Sequence, residues 1–278
     1  MKFYLSTLLI AGLFFCQNLF GSDIAKQTEK RVNAIIDFQK KAFKPKSHDD
    51  YVRLRKEFDI NEYFKILTKI KIKTSYYFDY FLTGDSYGSY PILLALNDED
   101  KKFFKYLENL KNKPTEDTIK IIQNKIKEIS EENCTKNKEY PDLPQSMSSE
   151  NCIGYLKFLE VENSIEGYLD FIILRIMGNQ FLLDWHANYN DRKIVATKES
   201  LELLVKHDLS ASVTENIKDE DLEPKVEING NLIKIKVDIF TKWGGLIEIN
   251  YLIENNNFIQ IKEVKEKVII KYDCGIDF

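Results

Sequence analysis

The stretch Leu232–Thr241, LIKIKVDIFT, decides the fold. In an extended chain Ile233, Ile235, Val237 and Ile239 share one face, and Lys234, Lys236 and Asp238 share the other. A period of two with one oily face is the pattern of a half-buried antiparallel sheet. Leu246–Glu254, LIEINYLIE, repeats it, with Ile247, Ile249, Tyr251 and Ile253 opposite Glu248, Asn250 and Glu254. Asn257–Ile270, NFIQIKEVKEKVII, supplies a third run. Asn229-Gly230, Trp243-Gly244-Gly245 and Asn255-Asn256-Asn257 lie between the runs, and such residues accept the positive φ of tight hairpins. The spacing predicts an antiparallel β-meander over 222–272. A meander with one apolar face is not stable alone in water, so something must cover it.

Upstream, apolar residues recur at helical spacing. Ile24, Val32, Ile35, Ile36 and Ala42 predict a helix over Asp23–Phe43, ended by Lys44-Pro45. Asp49–Lys73 reads as helical or mixed. Asn97 is an N-cap candidate for a helix to about Asn112, with acids in its first turn, and Thr115 caps the next, to about Glu132. Ile153–Asn188 reads as one or two helices, broken at Gly154, Gly167 or Gly178. Thr197–Ser212 predicts a further helix. The late change of period argues α+β rather than alternating α/β. The expected architecture is a single domain over 23–278: a mainly helical region, 23–216, with a loop insertion at 133–152, packed on a curved C-terminal antiparallel sheet.

Composition narrows the function. The 278 residues are 44% hydrophobic and 30% charged, enough for a sizeable core. The net charge of −4 and the absence of a basic stripe give nucleic-acid binding no electrostatic support. At the N-terminus Lys2 precedes an apolar run, Phe3–Phe15, with small residues at Gly21 and Ser22. This predicts a signal peptide over 1–22, and hence a periplasmic or secreted protein. Lipid modification at Cys16 and an uncleaved anchor are the alternatives. Export makes Cys134 and Cys152, which bracket a Pro-, Ser- and Lys-rich loop, candidates for a disulfide, with Cys274 left over. No histidine and no Cys-x-x-Cys spacing accompanies them, which argues against zinc.

Gly84-Asp85-Ser86-Tyr87-Gly88 matches the nucleophile elbow of serine hydrolases. That motif belongs on a strand-to-helix turn in a parallel sheet, whereas the strands here are expected at the C-terminus, so a plain turn is the expectation for Ser86. Asp184, His186 and Asp191 are close in sequence, but a two-residue step on a helix points side chains apart. His48 and His207 stand alone among charged neighbours. The run Asp219-Glu220-Asp221 reads as a solvated linker. No metal, cofactor or catalytic group is expected. Tyr76–Leu82, YYFDYFL, is densely aromatic. It reads as core packing of a helical layer, or as the lining of an apolar cavity.

The C-terminal pattern resembles the Mla-type periplasmic phospholipid-shuttle proteins, also called the toluene-tolerance family. The residues that carry the likeness are Lys242–Gly245, then Ile247, Ile249, Asn250, Tyr251 and Ile253, then Ile259, Ile261, Glu263 and Val264, and the final Phe278. Phe78-Asp79, a glycine loop, Leu96–Glu99 and Phe103 resemble a second family segment. Asn250 stands where the family has aspartate and Ile259 where tryptophan is common, and 113–195 reads as an insertion. The resemblance implies a nuclear-transport-factor-2-like sheet and a non-enzymatic carrier of the cell envelope. It would bind phospholipid acyl chains in an apolar cavity and work with a membrane-bound transporter. Val237, Ile239, Ile249 and Tyr251 would be wall residues of that cavity. The competing expectation is a non-catalytic binding or structural protein of the envelope on the same sheet; a hydrolase using Ser86 comes third.

Overall fold

A computed structural model describes residues 4–42, 58–85, 88–108, 115–133, 153–181, 192–208, 221–242 and 244–272. Its helices are α1 (Tyr4–Lys41), α2 (Tyr63–Ile66), α3 (Asp98–Glu108), α4 (Glu116–Asn133), α5 (Ile165–Met177) and α6 (Lys198–Asp208). Its strands are β1 (Ile70–Ile72), β2 (Tyr76–Asp85), β3 (Gly88–Asn97), β4 (Leu159–Val161), β5 (Lys193–Val195), β6 (Lys225–Asn229), β7 (Leu232–Thr241), β8 (Gly245–Asn255) and β9 (Ile259–Ile270). The fold is mixed α+β, with antiparallel pairing in every register described. The chain divides into two compact units. One holds Met1–Ala34, Asn190–Ile253 and Ile261–Phe278, and the other holds Ile35–Tyr189 and Glu254–Gln260.

The unit built on Ile35–Tyr189 is organised by a hairpin. β2 and β3 pair from Tyr76↔Asn97 to Asp85↔Gly88. The aromatic run Tyr76–Leu82 is therefore a strand, not part of a helical layer, and Gly84–Pro91 is mostly strand rather than loop. Pro91 sits within β3, whose only strand partner in its sheet among the described residues is β2. An edge strand tolerates proline because the missing N–H breaks no ladder.

The misreading has a physical cause. Ile92–Leu96 is buried on both faces, so it lacks the alternation that marks a half-exposed strand. On one side Ile92, Leu94 and Leu96 pack with Phe104 of α3 and Ile129 of α4. Toward the other, the Leu93 backbone N–H donates to Asn179 Oδ1 at 3.0 Å. Aromatic pairs extend that side: Tyr80 meets Phe181 edge-on at 4.7 Å, Phe181 stacks on Phe58 at 5.2 Å, and Phe58 stacks on Phe38 at 4.6 Å. The Tyr63 hydroxyl donates to Gly178 O and accepts from Gln39 Nε2, at 3.0 and 2.9 Å. Its complete burial pushes its pKa well above the ordinary tyrosine range.

Asn97 caps α3, as the sequence predicts. Asn97 Oδ1 accepts from the N–H groups of Glu99 and Asp100, at 2.8 and 3.1 Å, and Asp100 Oδ2 accepts from Asn97 N at 3.1 Å. This is a reciprocal capping box. Asp100 Oδ1 also meets Lys125 Nζ at 2.7 Å, which ties the start of α3 to α4. Ser164 Oγ caps α5 by accepting from Gly167 N at 3.1 Å. Gly167 does not break the helix. It is glycine because a Cβ there would lie 2.1 Å from Glu162 O.

The other unit carries the predicted meander. A five-stranded sheet has the path β5-β7-β8-β9, with β6 also on β7. β5 and β6 share one edge of β7: Val195 pairs with Asp238 and Lys193 with Phe240, while Lys225 pairs with Lys236 and Asn229 with Leu232. α6 packs Leu201 against Val195, Leu222, Phe240 and Leu246. That cluster lies on the Lys236–Asp238 face of the sheet, not on the Val237–Ile239 face.

The turns of this unit differ in how much room they have. Gly230 and Gly245 both have positive φ, 62° and 88°. A Cβ at Gly230 would meet nothing within 4 Å, whereas one at Gly245 would lie 1.9 Å from Ile270 O and 2.7 Å from Tyr272 N. Gly230→Ala should therefore cost only the left-handed penalty, about 1–2 kcal/mol. Gly245→Ala adds a backbone clash and should cost more than about 3 kcal/mol. Urea denaturation of the two variants side by side checks this; equal losses would refute it.

Candidate functional site

The four predicted wall residues come together. Val237 and Ile239 on β7 and Ile249 and Tyr251 on the adjacent β8 lie on one face of the sheet. They are 1%, 0%, 0% and 7% exposed. Ile233, Ile235, Ile247 and Ile253 extend the same face, none above 8%. The face carries no group that is charged at neutral pH. It is a continuous apolar surface, and it is covered.

The opposite face is where polar chemistry collects. Lys225 and Glu227 of β6, Lys234 and Lys236 of β7, and Glu248 and Asn250 of β8 line a pocket of about 380 Å³, with Asp221 at its side. The strand pairing explains the arrangement. Lys225 stands opposite Lys236 and Glu227 opposite Lys234, and directly opposed residues point to the same side of a sheet. Like charges at Lys225 and Lys236 are separated by Asp221: its Oδ2 meets Lys225 Nζ at 2.7 Å, and its carbonyl accepts from Lys236 Nζ. Lys225 holds the Asp221 carboxyl below the usual carboxylate range. Asn250 Nδ2 donates to Glu248 Oε1 at 2.8 Å.

Behind Lys236 lies Asp238, fully buried. Lys236 Nζ is 2.7 Å from its Oδ2, an ion pair outside good hydrogen-bond geometry, and its Oδ1 has no hydrogen-bond partner among the described residues. Burial raises the pKa of Asp238. Lys236 opposes that shift, and the negative charges of Glu248 and Asp221 reinforce it. Burial likewise raises Glu223, again with Asp221 adding to it. Asp238 thus sits between the polar pocket and the apolar cluster around Phe240. Of the two, only Lys236 lines the pocket.

Two expectations change here. Asp238 alternates with lysines in the sequence and reads as solvent-facing, yet it is fully buried, next to the apolar cluster around Phe240. Asp221 reads as part of a solvated linker, yet both its side chain and its carbonyl hold lysines. The available signal was Phe240: an apolar residue two positions after Asp238, on the polar face, marks the point where that face also becomes buried.

Ser86 lies outside the described residues, but its flanks do not. Gly84↔Ser89 and Asp85↔Gly88 are antiparallel pairs of a hairpin, so the motif joins two strands rather than a strand and a helix. The described flanks therefore differ from the strand-to-helix setting of a serine-hydrolase elbow. Cys134, Cys152, Cys274, His48, Asp184, His186 and Asp191 also lie outside the described residues. Among the described residues no group of three His, Cys, Asp or Glu side chains is placed to hold a metal. A second, smaller cleft on β1 and β4, about 360 Å³, is a surface feature bounded by the ion pairs Lys69–Glu162 and Lys71–Glu160, at 3.0 and 2.8 Å.

Compared with family models, curated proteins and solved structures, the chain matches none.

The buried carboxyl makes a pH-dependent prediction. A carboxyl whose folded pKa lies above its unfolded one binds protons more tightly when folded, so its ionisation lowers stability as pH rises through the folded pKa. Asp238→Asn, which cannot ionise, should therefore raise the Tm at neutral pH. The gain should shrink as pH falls through the raised pKa to the ordinary carboxylate value. Thermal melts of both proteins across this range test it; a Tm difference independent of pH would show that Asp238 carries no such penalty.

Proposed function

We propose that this chain is an exported, non-catalytic lipid-binding carrier of the cell envelope. Phospholipid acyl chains would lie against the apolar face formed by Val237, Ile239, Ile249 and Tyr251. The observation that carries this reading is the character of that face, apolar from Ile233 to Ile253 across two paired strands and free of charged groups. Each methylene moved from water to such a surface is worth ~0.8 kcal/mol, so acyl chains offset the cost of leaving a bilayer while the head group stays in water. Because no residue of the face is more than 8% exposed, loading would lift the cover from the sheet rather than fill a standing void. The resemblance of β8 and β9 to the Mla-type sheet points the same way, toward a nuclear-transport-factor-2-like architecture and handover to a membrane-bound transporter. The apolar segment after Lys2 supports a periplasmic or secreted location. Among the described residues no helix is long and apolar enough to cross a membrane.

The second reading is a binding or structural protein of the envelope that uses the sheet only as a filled core. The near-complete burial of Val237, Ile239 and Ile249 favours it, together with the polar pocket on the opposite face.

Mass spectrometry of organic extracts separates the two. Protein purified from a periplasmic fraction without detergent should carry phospholipid near one molecule per chain under the carrier reading. A folded protein that arrives empty and takes up no labelled phospholipid would sink that reading and leave the second.

A further inference from the structure

β9 ends the path of the C-terminal sheet, and among the described residues its outer edge pairs with no strand. Lys262–Val268 is exposed at every position, so both faces of the strand are open as well as its edge; Val264 is 47% exposed. A long open edge offers a row of N–H and C=O groups to any other strand, and charged side chains are the usual defence. Here the order of charges does something else. Lys262-Glu263-Val264-Lys265-Glu266-Lys267 complements itself when a second copy runs antiparallel.

We propose that β9 pairs with β9 of a second copy about a two-fold axis through Val264, joining two five-stranded sheets into one. In that register Glu263 faces the partner's Lys265 and Lys262 faces the partner's Glu266, each twice by symmetry, with Val264 on its own counterpart. An isologous antiparallel pair has its axis perpendicular to the sheet, so opposed residues share parity and the register slips only by two. One such slip sets Glu263 on itself and the other sets Lys265 on itself. The slip onto Lys265 also sets Glu263 opposite the partner's Lys267, but each slip opposes like charges directly and neither keeps both opposite-charge pairings, so the register centred on Val264 is favoured over its neighbours. Within a chain Glu263 meets Lys265 at 2.9 Å along the strand, whereas Glu266 meets Arg192, just before β5, at 3.5 Å, a contact that pairing with a second copy would have to share or exchange.

Charge swapping tests this on the full chain, and because every altered residue is exposed, folding should survive. Wild type should sediment as a concentration-dependent dimer. E263K and K265E should each turn two attractive cross-strand pairs repulsive and loosen the dimer by roughly tenfold. Mixing E263K with K265E should restore it, because every altered pair is then again of opposite charge. A wild type that stays monomeric, whatever other strand its edge accepts, would overturn the proposal. So would a dimer indifferent to both substitutions, or two variants that fail to recombine.

Discussion

The C-terminal unit depends on β7 being paired along both edges. Val237–Thr241 is buried on both faces, so none of its backbone N–H or C=O groups can turn to water. A buried polar group without a partner costs about as much as a lost hydrogen bond, and this strand carries a row of them. β8 covers one edge. The other is covered by two short strands end to end, β5 on the buried half and β6 on the half whose polar side chains face solvent. The sheet therefore changes character along its length. Near Phe240 it is closed on both faces; near Lys234 it is half open, and the polar pocket forms at that boundary. Asp238 sits on the boundary itself, which is why its carboxyl is buried with a single lysine beside it.

This division decides what the sequence could reveal. Where one face meets water, as in β8, alternation names the strand, its face and its turns, and the meander was legible down to Gly230 and Gly245. The cap of α3 was legible for a similar reason. Asn97 acts through local hydrogen bonds that need no knowledge of the rest of the fold, and Ser164, not among the predicted caps, acts in the same local way. β2 and β3 were not legible, because helices and rings cover both sides of Ile92–Leu96 and erase the period. The same two-sided burial hid Asp238: polar side chains alternate up to it, yet it is fully buried. Gly167 shows a third limit. Its role comes from the carbonyl of Glu162, and no helical pattern distinguishes a close approach from a break.

The two faces of the C-terminal sheet also divide the chemistry. The apolar face is uniform and silent, suited to ligands recognised by area alone. The polar face interleaves three lysines with carboxylates, so its field changes sign over a few ångströms and suits a group bearing both charges better than a simple anion. β9 stands apart from both, with its charges on an edge rather than in a concavity. An apolar face, a field of mixed charge and an edge strand that ends the sheet's path thus occupy separate parts of one sheet.

The division of the chain between the two units has a consequence for the order of events during synthesis. The unit around the β2–β3 hairpin draws almost all of its residues from the continuous segment Ile35–Tyr189. It can condense while the ribosome is still working. The sheet unit draws on α1 residues before Ala34 and on strands beyond Asn190. Its closure must wait for β9 and must bridge the whole intervening segment. Contacts so distant in sequence are slow to form, because a long loop has to close before they contribute. Until then β7 and β8 present oily strands with no cover. A holding chaperone would protect the chain during the interval when it is most prone to aggregate.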